Sequence, residues 1–224
     1  MTVIYENKYI LIKKKNQKEY SFFFKKWDSD ARKFWVNFPF SLMKIISENN
    51  NVEKNTKEYI LRADKMMMFP AYLKKNKKMS YNSAMALLYD VGNQLQTLEM
   101  FNMGLPFLNL EDILVVDDKH FFIINTTRIL TIKNKNIKIE TPYKKSFFYS
   151  PEIQNNKSIP AKINWKSSYY SLASIVVHCL TGEYVLGNKK SSSEILNVLY
   201  QTKLFWALER CLEEDVNKRY YLII

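Results

Sequence analysis

The chain has 224 residues and a formal net charge of +12, and its composition of 47% hydrophobic and 25% charged residues is that of a globular protein. This length predicts one large domain or two small lobes with a real core. No apolar run approaches the ~18 residues that a membrane span needs, and the N-terminus lacks the pattern of a secretory signal. We therefore expect an intracellular protein of the cytoplasm or nucleus, not secreted, with no membrane partner.

The two cysteines, Cys179 and Cys211, lie in apolar helical patterns and do not have the spacing of metal ligands. Buried free cysteines behave as small apolar side chains, and disulfides are rare in reducing compartments. The sequence therefore predicts two reduced thiols in the core.

The positive charge comes from 29 Lys and only five Arg. Arg is the preferred residue for binding phosphates and base edges, whereas Lys is a hydrated point charge that is common on solvated surfaces. Abundant Asn and Ile beside the Lys indicate a bias of AT-rich coding. The composition argues against nucleic acid as the main partner, and a polyanion-binding module is kept as an alternative.

The N-terminal region is predicted to be rich in strands. Residues 2–27 alternate strand and turn, with a polar break at 16–18 that fits a hairpin. Asp28 begins a predicted helix that continues to about residue 48, followed by a polar loop to Asn55 and by strands over 57–69.

The middle of the chain contains the strongest helical pattern. Ser80 begins a predicted helix that runs to Met100, with apolar residues at three- and four-residue steps. A hairpin follows, with its turn at Asp117-Asp118, and residues 128–145 form a predicted β-rich meander.

Residues 169–180 predict a helix that is apolar on every side and is therefore buried. Gly182 suits a left-handed helix end. Upstream, Glu152 follows a proline in an apolar stretch, and a buried carboxylate needs a partner. We expect this partner to be Arg219 near the C-terminus.

Three of these features occur in the order found in the C-terminal lobe of a protein kinase. Ser150-Pro151-Glu152 resembles the end of the activation segment, Lys166–Gly182 resembles the hydrophobic anchoring helix, and Cys211–Arg219 resembles the last motif, whose Arg pairs with the Glu. The resemblance covers residues 80–224 by motif and residues 1–79 by arrangement only. It implies an α+β, two-lobed fold with a reduced β-rich N-lobe at 1–69 and a mainly helical C-lobe at 70–224.

The resemblance also assigns candidate site residues. Lys25, or Lys26 if the register slips, falls where the third strand carries its phosphate-pairing Lys, and the alternative is a solvated Lys at a strand end. Asp112 falls on the metal-binding Asn and is the candidate Mg²⁺ ligand, or else caps the following strand. Asn125 falls on the metal-binding Asp and completes the candidate nucleotide site.

The residues that perform phosphoryl transfer in kinases are replaced. Phe107 falls on the catalytic Asp, so no catalytic residue is assigned, and Ser168 falls on the Asp that holds the catalytic loop. The chain has four Gly, the first at position 92, so the N-terminal region has no Gly-rich phosphate loop. Glu152, Arg219 and Ser168 are assigned structural roles.

The resemblance therefore implies a pseudokinase, similar to kinase-like proteins of large DNA viruses, that serves as an interaction or scaffold module for an unknown protein partner. It assigns no cofactor with certainty and leaves ATP and Mg²⁺ open. The first alternative is a divergent active Ser/Thr kinase that uses Asp112 or Asp117 as a substitute base. The second is the basic polyanion-binding module.

Overall fold

The structure, a computed structural model, describes residues 2–28, 43–185 and 189–221. The chain divides into two compact units. The first contains Met1–Tyr72 and Glu111–Thr127, and the second contains Leu73–Leu110 and Arg128–Ile224. Helices and antiparallel sheets occur together, so the fold class is α+β, as predicted. The division into kinase lobes at residues 69 and 70 stays a prediction.

The first unit contains a five-stranded antiparallel sheet with the order β1-β2-β3-β5-β4. Alternate side chains of the central strands are buried, among them Ile10, Ile12 and Phe22, so that one face forms a core. The strands are β1 (Thr2–Glu6), β2 (Ile10–Lys14), β3 (Glu19–Phe24), β4 (Lys44–Asn51) and β5 (Thr56–Arg62).

Strand β4 lies where the sequence predicted the end of a helix and a polar loop, so this part of the prediction was wrong. Ile45 pairs with Leu61 of β5, and the ladder continues to Asn51. The adjacent β-branched Ile45 and Ile46 suit an extended strand, and β5 supplies a partner that local sequence cannot reveal. Residues 29–42 of the predicted helix lie outside the described residues.

The first unit also contains a three-stranded sheet with the order β6-β8-β9. Its strands are β6 (Met66–Met68), β8 (Ile113–Val116) and β9 (His120–Ile123). The turn between β8 and β9 lies at Asp117 and Asp118, as predicted, with φ of 52° and 55°. The Lys119 amide donates to the Val116 carbonyl at 3.0 Å across these two residues, and positive φ at both central positions is typical of a type I′ turn.

The second unit is built around two long helices that pack together, α2 (Tyr81–Met100) and α4 (Ser167–Thr181). Ser80 caps α2 by accepting a hydrogen bond from the Ser83 amide at 3.2 Å. Helix α4 ends at Gly182 with φ of 85°, as predicted. The other α-helices within the described residues are α1 (Phe69–Asn76), α3 (Pro151–Gln154), α5 (Lys189–Leu196) and α6 (Lys203–Cys211).

A four-stranded sheet with the order β12-β11-β10-β7 completes the second unit. Its strands are β7 (Met103–Gly104), β10 (Leu130–Lys133), β11 (Asn136–Ile139) and β12 (Ala161–Asn164). The hairpin of β10 and β11 confirms the predicted meander. Its buried face includes Ile137, Ile139 and Ile163.

Cys179 and Cys211 are free and buried, as predicted. Burial raises the pKa of each thiol to about 12, so both stay protonated and unreactive at neutral pH. Among the helices of the described residues, none has both the length and the apolar character that crossing a membrane requires.

Candidate functional site

Phe107, which the motif register aligns with the catalytic Asp, is part of a hydrophobic cluster in the second unit. Its ring lies 4.2 Å from that of Tyr149 and 5.1 Å from that of Tyr143, between ring centroids. The guanidinium of Arg128 lies 5.1 Å from the centroid of the Phe107 ring. Only 3% of Phe107 is exposed. We call Phe107, Tyr143 and Tyr149 the aromatic cluster.

The aromatic cluster joins the sheet to the segment before α4. Ile139 of β11, Ala161 and Ile163 of β12 and Ile153 of α3 complete the same buried group. The Tyr143 hydroxyl donates a hydrogen bond to the Ile153 carbonyl at 3.1 Å. Phe107 therefore has a packing role, because its buried ring offers no group that could accept a proton.

Asp112 and Asn125 lie together in the first unit, as their shared assignment predicts. Asp112 precedes β8 and Asn125 follows β9, and the antiparallel pairing of Ile113 with Ile123 places both at the same end of the hairpin. The Asn125 Nδ2 donates to Asp112 Oδ1 at 2.7 Å, and the Ile124 amide donates to the Asp112 carbonyl at 2.9 Å. Asp112 is only 1% exposed.

In this arrangement the Asp112 carboxylate accepts a hydrogen bond from a neighbouring amide. The Asn125 amide group turns its nitrogen to the carboxylate, and its oxygen accepts from the Thr127 hydroxyl at 2.6 Å and from the Thr127 amide at 3.2 Å. Within residues 2–28, 43–185 and 189–221, no group of three or more His, Cys, Asp or Glu is positioned to hold a metal ion. The hydrogen bonds of Asp112 join the two ends of the β8–β9 hairpin, and the assignment of Asp112 as a Mg²⁺ ligand or as a cap stays a prediction.

Lys25 lies immediately after β3 and binds groups of the preceding hairpin. Its Nζ is 2.6 Å from Glu6 Oε1 and 2.8 Å from the Asn7 carbonyl oxygen. The hydrogen bond and charge of Lys25 lower the pKa of Glu6. Lys26, the alternative, pairs with Asp28 at 3.1 Å. Lys25 therefore lies at a strand end as a partly exposed, ion-paired side chain, and its role at a nucleotide stays a prediction.

Ser168 lies in the first turn of α4 and is buried. Its hydroxyl donates to the Trp165 carbonyl at 3.1 Å, and the same oxygen accepts from the Ser168 backbone amide at 3.5 Å. The neighbouring Ser167 was not predicted as a site residue. Its Oγ lies 2.7 Å from both Glu152 Oε1 and the Asn164 carbonyl oxygen, so its single proton is shared between these two acceptors.

Glu152 and Arg219 form a bidentate ion pair in the second unit, as the sequence predicts. Arg219 Nη1 lies 2.6 Å from Glu152 Oε1, and Nη2 lies 3.3 Å from Oε2. The Arg219 Nε donates to the Glu213 carbonyl at 3.0 Å, and the guanidinium lies 5.1 Å from the ring centroid of Tyr170. Arg219 is completely buried.

The groups around Glu152 favour the ionised form of its carboxyl group. Burial alone would raise the pKa of Glu152, but the hydrogen bond and charge of Arg219, together with Ser167, hold it below its ordinary value. Burial also raises the pKa of Tyr170 to about 12. The pair joins α3 to the C-terminal segment through charge-assisted hydrogen bonds.

A second C-terminal contact was missed in the sequence. The Tyr221 ring stacks on Tyr169 with centroids 5.5 Å apart, and its hydroxyl donates to the Leu88 carbonyl at 3.1 Å. The ring lies against Gly92 in the middle of α2 and fills the space that a Cβ would need. The signal was available, because a Gly inside a strong helix costs about 0.5–1 kcal/mol and needs a packing reason.

Comparison of the sequence with models of known protein families and with curated proteins finds no match.

Proposed function

We propose that this protein is a catalytically inactive, protein-kinase-like domain that acts as a protein-interaction or scaffold module. The observation that carries the proposal is the burial of Phe107 in the aromatic cluster, at the position that the motif register gives to the catalytic Asp. Phosphoryl transfer to a hydroxyl needs a carboxylate that orients the hydroxyl and accepts its proton. A buried phenyl ring cannot do either.

The geometry around Asp112 supports the same proposal. Its hydrogen bond from Asn125 joins the two residues that a kinase would direct at the metal ions. Loss of one electrostatic group at an active site typically costs about 10²–10³ in rate. Replacement of the base, together with the hydrogen bond between the two candidate metal ligands, would remove the reaction rather than slow it.

The divergent active kinase is less well supported, because both candidate bases have structural partners. Asp112 accepts from Asn125, and Asp117 Oδ1 accepts from the Lys65 amide at 2.8 Å in the β8–β9 turn. A general base must be able to reach the proton of a substrate. Scaffold contacts are retained instead, since Glu152 and Arg219 form the ion pair typical of the kinase C-lobe.

Thermal unfolding with and without ATP, in Mg²⁺ and again in EDTA, tests this proposal together with a phosphate-transfer assay. A ligand at 100 times its Kd stabilises by about 2.7 kcal/mol, and each kcal/mol raises the Tm of a chain of this size by roughly 2–4 °C. We expect no Mg²⁺-dependent rise in Tm and no transfer. Asp112→Asn is the matched variant and should behave like the wild type.

The opposite result has a clear form. A Mg²⁺-dependent rise of several degrees that Asp112→Asn abolishes, together with phosphate transfer that Lys25→Ala abolishes, would establish the active-kinase alternative. A rise that persists in EDTA and in Asp112→Asn would instead mean that nucleotide binds without the metal, which is compatible with a scaffold whose shape depends on nucleotide.

A further inference from the structure

The outer face of the sheet formed by β10, β11 and β12 carries a group of lysines. In each strand, alternate side chains point away from the core, and the inward positions are apolar and mostly buried. The outward positions are Thr131, Lys133, Asn136, Lys138, Lys162 and Asn164, and all three lysines among them are exposed. We call these six residues the basic face.

The pairing of the strands places like charges side by side. Lys138 of β11 and Lys162 of β12 are direct Cα partners in the antiparallel ladder. Lys133 lies on the neighbouring strand, opposite Asn136. Adjacent strands are about 4.8 Å apart, and like charges directly opposite each other destabilise a sheet. A bound anion would remove this repulsion.

One carboxylate neutralises part of the basic face. Glu140 directly follows β11, and its Oε1 lies 2.5 Å from Lys138 Nζ. Both side chains are well exposed, and exposed ion pairs exchange readily because water and salt screen them. Glu140 can therefore be displaced by a stronger anion, and Lys133 and Lys162 add to the positive charge around it.

We propose that the basic face binds the phosphate backbone of a nucleic acid without reading its bases. Lysines supply point charges suited to phosphates, and Thr and Asn side chains are common partners of phosphate and sugar. A membrane surface is disfavoured, because proteins that bind membrane interfaces insert Trp, Phe or Leu, and the six residues of this face are all polar. The excess of Lys over Arg in the composition argued against nucleic acid. Composition does not show, however, which lysines lie together on one sheet.

Fluorescence anisotropy with a labelled DNA duplex of arbitrary sequence, about 20 base pairs long, tests the proposal between about 50 and 200 mM KCl. The triple variant Lys133→Gln, Lys138→Gln, Lys162→Gln removes the three charges. We expect it to bind more than about tenfold more weakly at low salt, and to reduce the slope of log K against log salt by about 2–3. The substituted side chains are exposed, so the Tm should change little.

A matched triple variant separates a site from a general effect of charge. Lys74→Gln, Lys75→Gln, Lys203→Gln changes the net charge equally, at exposed positions on α1 and α6 of the second unit. It should lose less than about threefold in affinity. Glu140→Gln frees Lys138 and should tighten binding about twofold or more, which gives a gain of function that misfolding cannot imitate.

Three results would overturn the proposal. The first is equal weakening in the two triple variants, which would indicate attraction by net charge. The second is an unchanged affinity in the first triple variant. The third is a first triple variant that keeps its DNA affinity but no longer binds vesicles containing phosphatidylserine, which would assign the basic face to a membrane surface.

Discussion

Two carboxylates, the half-buried Glu152 in the second unit and the buried Asp112 in the first, have contrasting hydrogen bonds within the described residues. Glu152 lies in a bidentate ion pair with Arg219 and also accepts from Ser167. Asp112 accepts from the neutral amide of Asn125 across the open end of a hairpin. The first arrangement links segments 67 residues apart in sequence, and the second links residues only 13 apart.

The contrast teaches which of these groups supports the fold. A buried charge paired across the chain is costly to break, because either remaining partner is left uncompensated. A carboxylate bonded to a local amide closes a turn, and its replacement by an amide keeps the hydrogen bond. Of the residues that the kinase resemblance assigned, Glu152 and Arg219 therefore hold distant segments together, whereas Asp112 bonds locally to Asn125.

Removal of the Arg219 guanidinium should have the largest effect. Arg219→Met leaves the half-buried Glu152 carboxylate without its cation and removes a fully buried ion-pair partner, and we expect a loss of about 3–5 kcal/mol in the free energy of unfolding. For a chain of this size this is a fall of roughly 6–20 °C in Tm. Urea unfolding followed by far-UV circular dichroism measures it.

The double variant Glu152→Leu, Arg219→Met provides the control. It removes both charges, so it should be more stable than Arg219→Met alone. A single variant that loses less than about 1 kcal/mol would show that the pair is solvated and would remove the contrast with Asp112.

A matched pair of acid-to-amide changes sharpens the comparison. Glu152→Gln keeps the shape but leaves the Arg219 guanidinium buried beside a neutral group, so we expect a loss of about 2–3 kcal/mol. Asp112→Asn can still accept from Asn125 through its amide oxygen and should lose less than about 1 kcal/mol. Chemical denaturation of both variants at neutral pH measures the difference. Equal losses would mean that Asp112 has a structural charge partner of similar importance.

Acid titration should give the smallest effect. The pKa of folded Glu152 is lowered from 4.5, so the ionised carboxylate contributes stability that is complete above pH 4.5 and is lost as the pH falls through the folded value. The stability curves of wild type and Glu152→Gln should therefore converge below pH 4.5. Curves that stay parallel would assign the difference to shape rather than charge.

The sequence was most informative where local pattern and long-range need coincide. The apolar run of α4 and its Gly182 end are visible in the residues themselves. The Glu152–Arg219 pair was also predictable, because an acid in an apolar stretch demands a cation and few arginines were available. The turn at Asp117 and Asp118 was predictable from local sequence, because two adjacent Asp residues separate two apolar segments.

Other features depend on partners that the local sequence does not contain. Every residue of strand β4 is exposed, so the strand has no alternation of buried and exposed side chains. Its sequence therefore gives no sign of the pairing with β5 that makes it a strand. The contact of Lys25 with Glu6 depends on the register of the first hairpin. The basic face depends on which lysines of separate strands align, and this alignment is a property of the sheet.

Because the Tyr221 ring fills the space beside Gly92, substitutions at these two positions depend on each other. A side chain at position 92 would collide with the ring, and such overpacking typically costs about 1–3 kcal/mol. A smaller residue at position 221 would first open the space, after which Ala at position 92 could gain helical stability. The order of the two substitutions therefore matters during evolution. Tyr221 must be replaced by a smaller residue before Gly92 can be replaced by a larger one.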